Sequence, residues 1–182
     1  MKSKLSAVLL SAILLTSLPA NAQKRMESRF EPSVASWRFA ERRVRRMTLD
    51  EKIGQMVHIG INARYANQDS EFFQEVLKDV RENKVGGIIL FGAPIYESVH
   101  FVNRMQQNAR TPLLISIDAE TGVGMRFMDA ANFPWAMAVA ATGEPAYARK
   151  IGEVTGREAR LLGIQHVFAP VLDVNNNPDN PV

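Results

Sequence analysis

The sequence predicts an α/β fold assembled from successive βα units, and three observations carry that expectation. Short, nearly unbroken apolar runs recur at residues 85–91, 113–118 and 166–174, the pattern of strands covered on both faces in parallel sheets. Stretches of helical periodicity alternate with them, at residues 70–82, 97–110 and 145–162, as strand–helix–strand connections require. The runs also end on polar groups: Asp118 and Glu120 follow one, and Asp173 and Asn175 close another. Both α/β barrels and open α/β sheets place their ligands at the carboxyl ends of parallel strands.

Length and composition suit one globular domain with a sizeable core: 182 residues, 46% hydrophobic and 23% charged. The net charge of +3 comes from a cluster, Arg38, Arg42, Arg43, Arg45 and Arg46, together with the N-terminal lysines. A basic balance confined to one stretch does not indicate a nucleic-acid partner. The chain has no cysteine, which excludes disulfides, thiolate catalysis and cysteine-ligated metal. His58, His100 and His166 share no metal-ligand spacing, so no metal or other cofactor is expected. Gly122-Val123-Gly124 lacks the third glycine of a dinucleotide fingerprint, and its strand ends in acids that would repel a pyrophosphate. Acidic and amide-rich strand ends suit a polyhydroxylated ligand better than an anion.

Taken in order, residues 1–22 read as a signal peptide. Met1-Lys2-Ser3-Lys4 is positive, residues 5–18 are apolar, and Ala20-Asn21-Ala22 offers a small-x-small cleavage site before Gln23. The apolar run is shorter than the roughly 20 residues of a spanning helix. Export to the periplasm or the exterior, without stable membrane insertion, is therefore expected. Residues 23–46 then read as a polar linker and a basic amphipathic helix from Trp37 to Met47, in which Phe39, Ala40 and Val44 interrupt the arginines. A domain at residues 47–182 follows. Thr48 and Glu51 form a capping-box pattern for a helix that passes into a strand near residues 56–61. Ser70 caps a helix with Phe72, Phe73, Val76, Leu77 and Val80 on one face. After the strand at residues 85–91, Val99, Val102 and Met105 mark the next helix, and Thr111-Pro112 stops it.

The strand that follows ends at Asp118. If its period of two persists, Asp118 and Glu120 face the same way; the alternative is that they cap the next helix or face water. Gly122 and Gly124 release the backbone into a loop. Beyond Phe133-Pro134 and an alanine-rich stretch to Ala141, a long helix at residues 145–162 ends on Gly163 as its C-cap. A last apolar strand, residues 166–174, precedes a turn-rich tail.

Five segments, taken together, resemble the N-terminal part of the catalytic barrel of glycoside hydrolase family three. They are Met47-Thr48-Leu49-Asp50-Glu51-Lys52-Ile53-Gly54-Gln55-Met56, Val85-Gly86-Gly87-Ile88-Ile89-Leu90-Phe91, Ile117-Asp118-Ala119-Glu120 with Gly122 and Arg126-Phe127, Phe133-Pro134, and Phe168-Ala169-Pro170-Val171-Leu172-Asp173-Val174. They follow that family's order and spacing. The segment Val174-Asn175-Asn176-Asn177-Pro178-Asp179-Asn180-Pro181-Val182 looks more like the bacterial β-N-acetylhexosaminidase branch than the β-glucosidase and β-xylosidase branch. Many hexosaminidases read Asp-x-Glu-Gly-Gly-Arg-Val-x-Arg where this chain keeps Asp118, Gly122 and Arg126 but carries Val123 in place of the internal arginine. Some β-glucosidase-like members share its Gly-x-x-Met-Arg pattern, so a β-glucosidase-type exo-glycosidase is the alternative.

The resemblance implies a truncated (β/α)8 TIM barrel, of which this chain holds the N-terminal portion, about four βα units; a whole barrel takes about 250 residues. It implies a carbohydrate substrate, with peptidoglycan-derived amino sugars expected for an exported hexosaminidase. It also implies a retaining mechanism through an aspartate nucleophile and a separate acid/base. In the family the nucleophile lies on a late strand and the hexosaminidase acid/base on a loop after a Lys-His pair. Both fall beyond Val182, so no residue here is expected to be catalytic, and the 182-residue fragment alone is expected to be inactive. The residues carried over are sugar ligands, Asp118 and Arg126, with Glu120 and Asp173 bracing the loops. A noncatalytic, saccharide-binding half-barrel is the rival reading.

Overall fold

The computed structural model describes residues 31–63, 66–173, 176–177 and 179. The expected signal peptide, residues 1–22, and the tail residues Val174 and Asn175 lie outside the described residues. The chain falls into two compact units, Met1–Met47 and Thr48–Val182. In the first, helix α1 (Val34–Arg45) begins earlier than the arginine pattern suggests, because Ser33 caps it by accepting from the Ser36 amide at 3.1 Å. Glu41 and Arg45, one turn apart, pair on its exposed surface at 2.6 Å. No helix among the described residues is long and apolar enough to cross a membrane.

The second unit runs α2 (Leu49–Gln55), β1 (His58–Ile61), α3 (Glu71–Arg81), β2 (Gly87–Leu90), α4 (Ile95–Asn108), β3 (Leu114–Ile117), a 3-10 turn (Val123–Met125), α5 (Ala136–Ala141), α6 (Pro145–Leu161) and β4 (His166–Val167). The strands form one parallel sheet in the order β1-β2-β3-β4. Each strand lies beside its successor, with no reversal of strand order of the kind that defines doubly wound open sheets. This is the α/β architecture of the first part of a (β/α)8 barrel. It holds three complete βα units and the start of a fourth strand; no helix follows β4 among the described residues.

Alternation along the strands divides the sheet into two faces. Ile61, Ile88, Leu90, Ile115 and Ile117 join Phe73, Val76 and Val80 of α3 and Phe101, Val102 and Met105 of α4 in one core cluster. Ile88, Met105, Ile115 and Ile117 are completely buried, each worth roughly 1.5–3 kcal/mol for its transfer from water. The opposite face carries small or polar residues, including Gly60, Ser116 and His166, which share a register row with Ile89.

Three departures from the sequence expectations have local causes. The first strand starts at His58, not Met56, because Met56 and Val57 donate back to Ile53 and Gly54 in a turn that closes α2. Helix α4 starts at Ile95, ahead of Glu97, because a cap arrives from elsewhere in the chain, as described below. Among the described residues of the apolar run at 166–174, only His166–Val167 pairs as a strand. Its last ladder bond is Phe168 N–H to Ile117 C=O at 2.9 Å. Pro170 then has no N–H to continue the ladder, and Val171 and Leu172 are exposed rather than buried.

Candidate functional site

The last register row of the sheet is Ile61, Leu90, Ile117 and Val167. The next residue on each strand, Asn62, Phe91, Asp118 and Phe168, therefore stands at the carboxyl edge. The bonds from Phe91 N–H to Ile61 C=O and from Phe168 N–H to Ile117 C=O, both 2.9 Å, hold this edge in line. Asp118 keeps the parity of Ser116, and Phe91 that of Ile89, so both lie on the face away from the helices. The Phe91 ring packs over Gly60, confirming that side: a Cβ built there would come within 2.7 Å of Phe91 Cε2.

Arg126 reaches this edge from the loop after β3. Val123 and Phe127, buried at 0% and 1%, anchor the loop in the core on either side of it. Gly124 N–H to Ala131 C=O (2.8 Å) and Phe133 N–H to Thr121 C=O (2.7 Å) close the loop on itself. Gly122 turns with φ of 93°, a left-handed conformation that glycine reaches without strain. Farther along, Asp129 turns across to α4, whose own N-cap, Pro94, offers no side-chain acceptor. Both Asp129 carboxylate oxygens accept from the Ile95 amide, at 3.0 and 3.1 Å. One aspartate thus caps α4 and ties down the loop that carries Arg126.

The loop delivers the Arg126 guanidinium to Asp118, where a terminal nitrogen donates to Oδ2. The guanidinium carbon also lies 5.1 Å from the Phe91 ring centroid, within cation–π range. Both partners stay partly open, with side-chain exposure of 28% for Asp118 and 23% for Arg126. The result is a half-exposed carboxylate with one oxygen engaged, at the ligand-binding end of a parallel sheet. Such a group accepts strong hydrogen bonds from hydroxyls.

The two sugar ligands expected from sequence, Asp118 and Arg126, are thus adjacent, and they pair with each other rather than Arg126 with Glu120. Because β3 stops at Ile117, the period-two orientation lapses. Glu120 lines a separate, largely apolar groove of about 620 Å3 between β4, α5 and α6, with Pro134, Val139 and Ile151. Among the described residues Asp173 is exposed and contributes nothing to the pair. Phe91 and Asp129 were not singled out from sequence. Phe91 closes the apolar run at residues 85–91, and that place at the carboxyl end of a strand is the signal that points to it. Among the described residues no three acidic or histidine side chains converge as a metal site would need.

At the opposite, amino end of the strands, Glu51 gathers the chain. It accepts from the Thr48 amide at 2.9 Å and pairs with Lys84 at 3.3 Å and Arg110 at 2.5 Å. The Thr48 backbone bond first, and then the Lys84 ammonium, hold its carboxyl below the usual carboxylate range, with the Arg110 charge adding to them; burial works against this. In barrels this end serves stability, not chemistry.

A family model, that of the glycosyl hydrolase family 3 N terminal domain, matches residues 48–182. The chain belongs to glycosyl hydrolase family 3. It is 35% identical over 133 residues to a beta-N-acetylglucosaminidase/beta-glucosidase of Cellulomonas fimi, covering 73% of this chain and 22% of that protein. It is 34% identical over 111 residues to beta-hexosaminidase A of Pseudoalteromonas piscicida, covering 54% of this chain and 19% of that one. The chain therefore spans about a fifth of the length of these relatives. Among solved structures, the beta-glucoside phosphorylase BglX bound to 2FGlc superposes with a TM-score of 0.72 at 24% identity, over 83% of this chain and 26% of that one, and shows the shared fold. NagZ from Neisseria gonorrhoeae in complex with N-trifluoroacetyl-D-glucosamine superposes with a TM-score of 0.50 at 27% identity, over 65% of this chain and 37% of that one. In this family's fold, Asp118 and Arg126 stand at the face of the barrel where active sites are built.

Proposed function

We propose that the full-length protein is an exported exo-glycosidase that removes terminal β-linked N-acetylhexosamine with retention of configuration. The observation that carries this reading is the Asp118–Arg126 pair at the carboxyl edge of the sheet. In the proposal Asp118 accepts from two adjacent hydroxyls of the nonreducing sugar, and Arg126 orients the carboxylate and contacts the same ring. Binding energy gained there holds the anomeric carbon in place for attack. The nucleophile and the acid/base lie outside this chain. A carboxylate displaces the aglycone from the anomeric carbon while the acid protonates the departing oxygen. The same group, now a base, then activates water to release the sugar from the enzyme.

Names of the relatives support the amino-sugar substrate: two carry hexosaminidase or N-acetylglucosaminidase activity. The first also names a beta-glucosidase, and this chain has Met125 directly before Arg126, so the glucosidase-type enzyme is the second reading. Turnover of an aryl N-acetyl-β-glucosaminide against the matching aryl β-glucoside by the full-length protein separates the two. Faster cleavage of the amino sugar is expected, and the reverse order moves the protein to the glucosidase branch. The sequence of residues 1–22 supports export, which makes peptidoglycan-derived amino sugars the proposed natural substrates.

A further inference from the structure

We propose that Phe91 is a positioning residue for sugar recognition, acting on Asp118 through Arg126; this rests on the reading of Asp118 as the sugar ligand. Arg126 bonds Asp118 through one terminal nitrogen only. Its Nε is buried and has no partner among the described residues. A guanidinium held by a single hydrogen bond can still tilt and shift, and such movement would weaken its hold on the carboxylate. The Phe91 ring, 5.1 Å from the guanidinium carbon, is the second contact that fixes the plane.

The ring's own position is set from beneath. Gly60 leaves the space it occupies, and a Cβ there would meet Phe91 Cε2 at 2.7 Å and Cδ2 at 3.3 Å. Any side chain at position 60 would thus push the ring off β1 and displace the guanidinium above it. Gly60, Phe91, Arg126 and Asp118 form one chain of contacts from β1 across β2 to β3. Its effect is to keep Asp118 Oδ2 engaged and Oδ1 turned to the ligand. Phe91 itself offers the sugar no hydrogen bond.

The test uses the full-length enzyme with an aryl glycoside. Phe91→Leu should raise KM about two- to fivefold with kcat within twofold of wild type, and Phe91→Tyr, which keeps the ring, should restore KM to within twofold. Gly60→Ala should raise KM in the same way and add little once Phe91 is already leucine. In an Asp118→Ala background, Phe91→Leu should have no further effect, because the group it positions is gone. A wild-type KM in Phe91→Leu or in Gly60→Ala, or an undiminished Phe91→Leu effect in the Asp118→Ala background, overturns the inference. Wild-type kinetics in Asp118→Ala alone would instead overturn the sugar-ligand reading beneath it.

Discussion

Arg126 donates to Oδ2 of Asp118, eight residues earlier in the chain, and leaves the other carboxylate oxygen without a protein partner among the described residues. The pair is neither sealed in the core nor fully hydrated, with about a quarter of each side chain exposed. For a partly desolvated ion pair the cost of desolvation offsets much of the Coulomb gain, so the pairing is better understood as preorganisation. The arginine restricts the carboxylate before a ligand arrives, which lowers the ordering cost at binding.

Asp118→Ala in the full-length enzyme should lower kcat/KM roughly 10- to 150-fold. A charge-assisted hydrogen bond is worth about 1.5–3 kcal/mol, and each 1.36 kcal/mol is tenfold. Steady-state kinetics on a variant with an unchanged melting curve measures this. A kcat/KM within twofold of wild type would show that the carboxylate does not touch the sugar.

Asp129→Ala removes the acceptor for the Ile95 amide. Loss of this cap should cost about 0.5–2 kcal/mol of stability, read as a lower denaturation midpoint. Asp129→Asn, which keeps an acceptor oxygen, should recover most of it. Because the same loop holds Arg126, the alanine variant should also show a raised KM.

Glu51 sets an acid dependence of stability. Its folded carboxyl is depressed, chiefly by the Thr48 amide and then by Lys84, so the unfolded chain binds the proton more readily. The stabilisation is therefore complete above the unfolded carboxyl value of about 4.3 and is lost as pH falls through the folded value. The melting temperature of wild type should exceed that of Glu51→Gln at neutral pH, and the gap should close as pH drops below about 4.3. A gap that is constant with pH would contradict the assignment of the network to an ionised Glu51.

The 182-residue chain on its own should show no glycosidase turnover and should self-associate. Among the described residues its fourth strand pairs on one side only, with β3, and unpaired strand edges template further pairing. The apolar groove beside it, lined by Val139, Ile151 and Val167, adds surface that favours association. Size-exclusion chromatography with light scattering and an aryl-glycoside assay test both points. A stable monomer, or measurable turnover, would contradict the account.

Most elements were legible in the sequence because their determinants are local. Thr48 with Glu51, Ser70 with the Phe73 amide, and Gly163 (φ 73°) are caps that a few residues suffice to specify. The start of α4 was not, since its cap, Asp129, is 34 residues away from Ile95. The run at residues 166–174 has the hydrophobicity of a buried strand, yet Pro170 breaks the ladder and leaves Leu172 85% exposed. Asp118 could be found because an acid directly after an apolar strand run is conspicuous. Arg126 was expected beside it from the family pattern, but not which acid it pairs with: Asp118 and Glu120 lie at similar sequence distance, and only the end of β3 at Ile117 decides between them. The role of Phe91 depends on the register that sets β2 beside β3, which no local pattern encodes.

The most direct measurement is a structure of the full-length protein with N-acetylglucosamine bound. The account predicts the sugar at the carboxyl edge of the sheet, with Asp118 oxygens about 2.5–3.0 Å from two adjacent ring hydroxyls and Arg126 still over Phe91. A sugar ring bound with no oxygen in hydrogen-bond reach of Asp118 would contradict it.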